Sequence, residues 1–134
     1  MPPYEELDHT ADWSFRVHAS SREALFAEAA NALYEIGGVQ TGPETGDPRI
    51  ISLEADDPEG LFVLWLNELL YLAEHDRLAL RNVRIEALSD TGLRVYGRST
   101  EILAAGKYIK AVTYSGLHIT EADGVWNATV VLDV

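Results

Sequence analysis

The stretch VRIEALSDTGLRVYGRS, residues 83–99, decides the architecture. Its two halves read as strands, and Asp90-Thr91-Gly92 between them is a turn signal, so the segment is expected to be a β-hairpin. A second pair of strand-like runs, GLHIT and VWNATVVLDV, is joined by Glu121-Ala122-Asp123-Gly124 and reads the same way. Strands linked by short turns pair antiparallel, whereas a doubly wound parallel sheet needs a crossover after each strand. The chain is therefore expected to be α+β, with a largely antiparallel sheet.

Between the hairpins lies EILAAGKYIKAVTY, which follows no clear period. Upstream, Asp57-Pro58 announces a helix over Pro58–His75, with Asp57 at the N-cap, Pro58 at the first helical position and Glu59 near the positive end of the dipole. Leu61, Phe62, Leu64, Trp65, Leu66, Leu69, Leu70 and Leu72 make that helix apolar nearly all round, so it is expected at the centre of the core. RIISLEA before it reads as a strand with Ile51, Leu53 and Ala55 on one face, and VQTGPETGDP as a loop. An earlier helix spans SSREALFAEAANALYEIGG, with Ser20 and Glu23 as a capping box and Gly37-Gly38 as its stop. Trp13, Phe15 and Val17 alternate with polar residues in the first strand. The expected order is β-α-β-α-β-β-β-β, with room for one more strand, in a single domain over residues 1–134.

A hydrophobic content of 47% is enough to build a core, and the formal net charge is −12, from 22 acidic and 10 basic residues. Nucleic acid is a polyanion and is normally met by Lys/Arg clusters; none stands out along the chain, so direct, tight nucleic-acid binding is not expected. An anionic membrane is disfavoured for the same reason. With no cysteine, disulfides, thiolate metal sites and a thiol nucleophile are excluded. MPPYEELDHT lacks the charged start and apolar run of a signal peptide, and LFVLWLNELLYLA is too short and interrupted to span a bilayer, so a cytoplasmic protein is expected.

No P-loop, G-x-S-x-G, dinucleotide fingerprint or H-E-x-x-H pattern occurs. His9, His18, His75 and His118 are far apart in sequence. Two places resist a purely structural reading. Asp8, His9, Thr10 and Asp12 crowd polar and charged groups before the first strand, and the last strand closes on Asp133 and Val134. If Val134 is the natural end, its free carboxylate next to the Asp133 side chain suits a hard cation such as Ca²⁺ or Mg²⁺; a solvated, frayed end is the alternative.

LDHTAD, SREALFAEAANALYEI, LWLNELLYL, KAVTY and VVLDV stand in the order and spacing of the archease family, and the resemblance covers about Tyr4 to Val134. Archeases activate the RtcB-type tRNA-splicing RNA ligase, which joins RNA ends using GTP and a divalent metal. The resemblance implies that this chain promotes guanylylation of the ligase and its multiple turnover without being the catalyst itself. It implies a metal site made by Asp12, Asp133 and Val134, holding Ca²⁺ or else Mg²⁺ or Mn²⁺. It also implies a role in activation for Lys110 of KAVTY. An acidic protein without a catalytic constellation suits docking on a basic RNA-binding enzyme, steered by opposite charge. Two other functions compete: a broader chaperone or adaptor for RNA-modifying enzymes, and a metal-dependent hydrolase using Asp12 and His9.

Overall fold

The computed structural model describes residues 3–7, 13–43, 46–114 and 116–134. These form two helices and two antiparallel sheets. The strands are β1 (Tyr4–Leu7), β2 (Trp13–Ala19), β3 (Gln40–Thr41), β4 (Pro48–Glu54), β5 (Leu78–Leu88), β6 (Gly92–Ala104), β7 (Ala111–Thr113), β8 (Ile119–Ala122) and β9 (Val125–Asp133). The helices are α1 (Arg22–Ile36) and α2 (Pro58–His75). The α+β expectation holds, but the strands divide between two sheets instead of extending one. β1, β3 and β7 are short additions to the expected order.

In the first sheet β2 lies between β1 and β9, and the far side of β9 is taken by β7 and β8. Phe15 pairs with Val130 and Trp13 with Leu132. In the second sheet β6 is the spine, with β5 along one flank, β4 along the other, and β3 against its last residues. The 83–99 hairpin is confirmed, and Ser89 closes its turn: its hydroxyl accepts from the N–H of Gly92 at 2.9 Å. The later hairpin turns on Asp123 and Gly124 alone, with φ of 53° and 78° and Ala122 paired to Val125. Two consecutive residues in the left-handed region give the twist that an antiparallel pair requires.

The α1 cap is one residue later than expected. Ser21, not Ser20, is the N-cap, and its hydroxyl accepts from the N–H of Ala24 at 3.0 Å. The α2 cap is as expected: the Asp57 carboxylate accepts from Gly60 at 2.6 Å, with Pro58 beginning the helix. Both helices pack on both sheets and on each other. Phe26 meets Phe62 edge to face with centroids 5.0 Å apart. Trp65 is fully buried, and its indole N–H donates to the carbonyl of Phe26 at 2.9 Å. That bond resolves the one polar demand of an indole placed in an apolar centre. None of the described helices is long and apolar enough to cross a membrane.

Candidate functional site

The residues singled out by sequence gather, as far as they are described, at one end of the first sheet. β9 runs to Asp133, whose side is exposed, and Val134 beyond it is 48% exposed. Across the sheet, Trp13 lies opposite Leu132. Asp12, the residue before Trp13, lies outside the described residues, as do Asp8, His9 and Thr10. Ser14, next along β2, is buried, and its hydroxyl has no hydrogen-bond partner among the described residues. Among the described residues no three His, Asp or Glu side chains converge on a metal position. The set implied by the resemblance takes one of its two carboxylate side chains from Asp12.

Lys110 and Asp133 are brought together. The backbone N–H of Lys110 donates to the carbonyl of Asp133 at 2.8 Å, and Ala111 then pairs with Asp133 as β7 begins. The Lys110 side chain is exposed. A residue from the middle of an unassignable segment and a residue from the last strand thus meet at one end of the first sheet.

Three sets of contacts hold the segment that leads to Lys110. At its start, the N–H groups of Gly106 and Lys107 both donate to the carbonyl of Gly37 at 3.0 Å, tying the segment to the end of α1. The approach is close enough to need glycine: a Cβ on Gly38, which has φ +64°, would lie 3.1 Å from the Cα of Gly106. In its middle, the Lys107 ammonium sits 3.0 Å from the centroid of the Trp13 ring, and Ile109 is buried. The Tyr108 hydroxyl donates to Glu74 at 3.3 Å, and that carboxylate raises the Tyr108 pKa above its ordinary value. Just past Lys110, Asn67 of α2 clamps the strand. Its amide donates to the carbonyl of Val112 at 3.0 Å and accepts from the N–H of Val112 at 2.8 Å.

Asn67 is the positioning residue that sequence reasoning missed. It looked like an interruption in an apolar helix. A polar side chain on a largely apolar helix was the signal available, because such a group, where it is buried, must find a partner. His75 lies against Tyr71 with ring centroids 4.6 Å apart.

A family model described as the Archease protein family (MTH1598/TM1083) matches residues 4–134. The archease of Methanosarcina barkeri is 37% identical over 140 residues, covering 98% of this chain and 95% of that protein. The archease of Archaeoglobus fulgidus is 31% identical over 143 residues, covering 98% of both. The solution structure of Methanobacterium thermoautotrophicum protein 1598 superposes with a TM-score of 0.75 at 27% identity, covering 100% of both chains. The crystal structure of a Thermotoga maritima archease, described as a possible chaperone, gives a TM-score of 0.71 at 24% identity, covering 97% of this chain and 96% of that one. Sequence and fold agree over the same span, and the chain belongs to the archease family.

Proposed function

We propose that this protein is a non-catalytic activator of an RtcB-type RNA ligase, promoting guanylylation and repeated turnover in tRNA splicing. The observation that carries the reading is the 2.8 Å hydrogen bond from Lys110 to Asp133. Two motifs far apart in sequence meet there through their backbones, at one end of the first sheet, and both residues are exposed. The lysine can engage a phosphate on the partner's nucleotide. The carboxylates of Asp133 and Asp12, together with Val134, would hold a divalent ion. An all-oxygen set suits Ca²⁺, Mg²⁺ or Mn²⁺ over thiophilic metals. When bound, the ion would offset most of the negative charge of its ligands and tie the end of β9 to the approach to β2.

The test is a guanylylation assay of the matching ligase with GTP, with and without this protein, at substoichiometric ratios. Faster guanylylation and more than one sealing event per ligase are expected. Lys110→Ala should leave the melting temperature unchanged and strongly reduce the stimulation. An equal rate with and without the wild-type protein would sink the proposal. The description of the Thermotoga relative as a possible chaperone favours a second reading, a folding or anti-aggregation role for several RNA-modifying enzymes. A pull-down returning many unrelated enzymes, with no effect on guanylylation, would select it.

A further inference from the structure

A cleft of about 270 Å³ opens between the C-terminal ends of α1 and α2 and the segment leading to Lys110. Leu33, Leu70, Ile102 and Ile109 are among the residues that make it apolar. Small-molecule sites usually start at about 300 Å³. This cleft lies just under that limit and has the scale of one large side chain. Its mouth carries Tyr108, which is 59% exposed, and Tyr71, 53% exposed, stands on α2 beside the lining residue Leu70.

The charges at the cleft are unlike those of the molecule. The chain carries a net charge of −12, yet Arg77 and Lys107 both line this cleft. Glu74 also lines it and keeps its negative charge while accepting from the Tyr108 hydroxyl, so two cations face one carboxylate there. Arg77 makes no side-chain hydrogen bond or ion pair among the described residues. An apolar pocket ringed by tyrosine and arginine has the make-up of an interface hot spot, where a partner's anchor fills a pocket and its polar neighbours meet the rim.

We infer that this cleft is a docking pocket for a segment of the partner protein that carries one bulky apolar side chain beside a carboxylate. The apolar side chain enters between Leu70 and Ile109, and the carboxylate meets Arg77, since the Lys107 ammonium is already seated on the Trp13 ring. A basic segment is disfavoured by the same arginine. The wall that the anchor touches is the segment hung from Gly37 and continuing to Lys110, so docking presses on the element that presents Lys110. In its choice of partner the inference rests on the activator reading above.

The experiment uses the full-length protein and the matching ligase. Binding is measured for the wild type, Arg77→Glu and Ala105→Trp, each checked for an unchanged circular dichroism spectrum and melting temperature. Ala105 is an exposed lining residue, so its enlargement obstructs the cleft without touching the core. Each variant is expected to bind about tenfold more weakly or worse. Hydrogen exchange should show residues 70–77 and 105–109 protected in the complex. A photo-crosslinker replacing Tyr108 should capture a ligase segment with an aromatic or aliphatic residue next to Asp or Glu. If the wild type activates the ligase but both folded variants bind within about twofold of it, the docking inference falls and the activator reading stands. If the wild type does not bind the ligase, both fall. Capture of a Lys/Arg-rich ligase segment, or of a second copy of this chain, also overturns the inference.

Discussion

Asp133 is the residue through which the metal reading can be tested most directly. It is exposed at the end of β9, where it contributes its carbonyl to Lys110 and leaves its carboxylate free of any described ion pair. Because that hydrogen bond uses the backbone, Asp133→Ala removes a ligand without removing the strand pairing. Calorimetric titration with Ca²⁺ should show clear binding by the wild type and a large loss for Asp133→Ala and Asp12→Ala. Equal affinity in all three would leave both carboxylates as solvated side chains with no metal to hold. Asn67 can be separated from Lys110 in a similar way. Asn67→Leu leaves the N–H and carbonyl of Val112 without their side-chain partner, at a cost of about 1–3 kcal/mol for an unmet buried group. Chemical denaturation should read that loss. The activation assay should fall as well, since Lys110 is two residues from the clamp.

At the scale of elements, α2 is the support for everything else. Eight of its residues are buried, among them Trp65, which is both fully enclosed and hydrogen bonded to Phe26. Trp65→Ala should therefore cost about 3–5 kcal/mol. A shift in denaturation free energy below about 1 kcal/mol would show instead that the site collapses around the smaller side chain. The bounds of α2 were legible because cap, proline and apolar content agree locally. The hairpin turns were legible for the same reason. The cap of α1 was off by one because Ser20 and Ser21 send the same local signal, and only the N–H of Ala24 distinguishes them. β3 and β7, two and three residues long, have no period to read and exist only through their pairing with β6 and β9. The same applies to the site. Asp133 stands out by its place beside the last residue and Lys110 by the resemblance, but their contact is a product of strand register, and Asn67 acquires its role only when α2 meets β7.

At the scale of the molecule, alkaline pH should loosen the fold through its tyrosines. Tyr34 is buried, its oxygen accepts from the N–H of Leu80 at 2.9 Å, and burial pushes its pKa up to about 12. In the unfolded chain a tyrosine ionises near 10. Below pH 10 both states are neutral at this position and its contribution is complete. Between pH 10 and 12 the unfolded state loses the proton first, so stability falls, by roughly 2–3 kcal/mol for this group alone. Tyr4 and Tyr108, whose pKa values are also raised, act in the same direction. Denaturation curves from pH 9 to 12 should show the decline, and Tyr34→Phe should make it shallower. A flat profile in the wild type would contradict the burial of that phenol.

The strand order of the first sheet has a kinetic consequence. β9 lies between β2 on one side and β7 and β8 on the other, so Phe15 cannot find its partner Val130 until nearly the whole intervening chain has been gathered. The entropy of closing that loop is paid before the Phe15 and Val130 side chains are buried together. The β8–β9 and β5–β6 hairpins, whose partners are adjacent in sequence, are free to form early. The seam between β2 and β9 should then be the slow step, with refolding on the scale of milliseconds to seconds instead of microseconds. The end of the sheet where Lys110 meets Asp133 belongs to that same last strand, so a refolding chain should acquire its stability and its activity together.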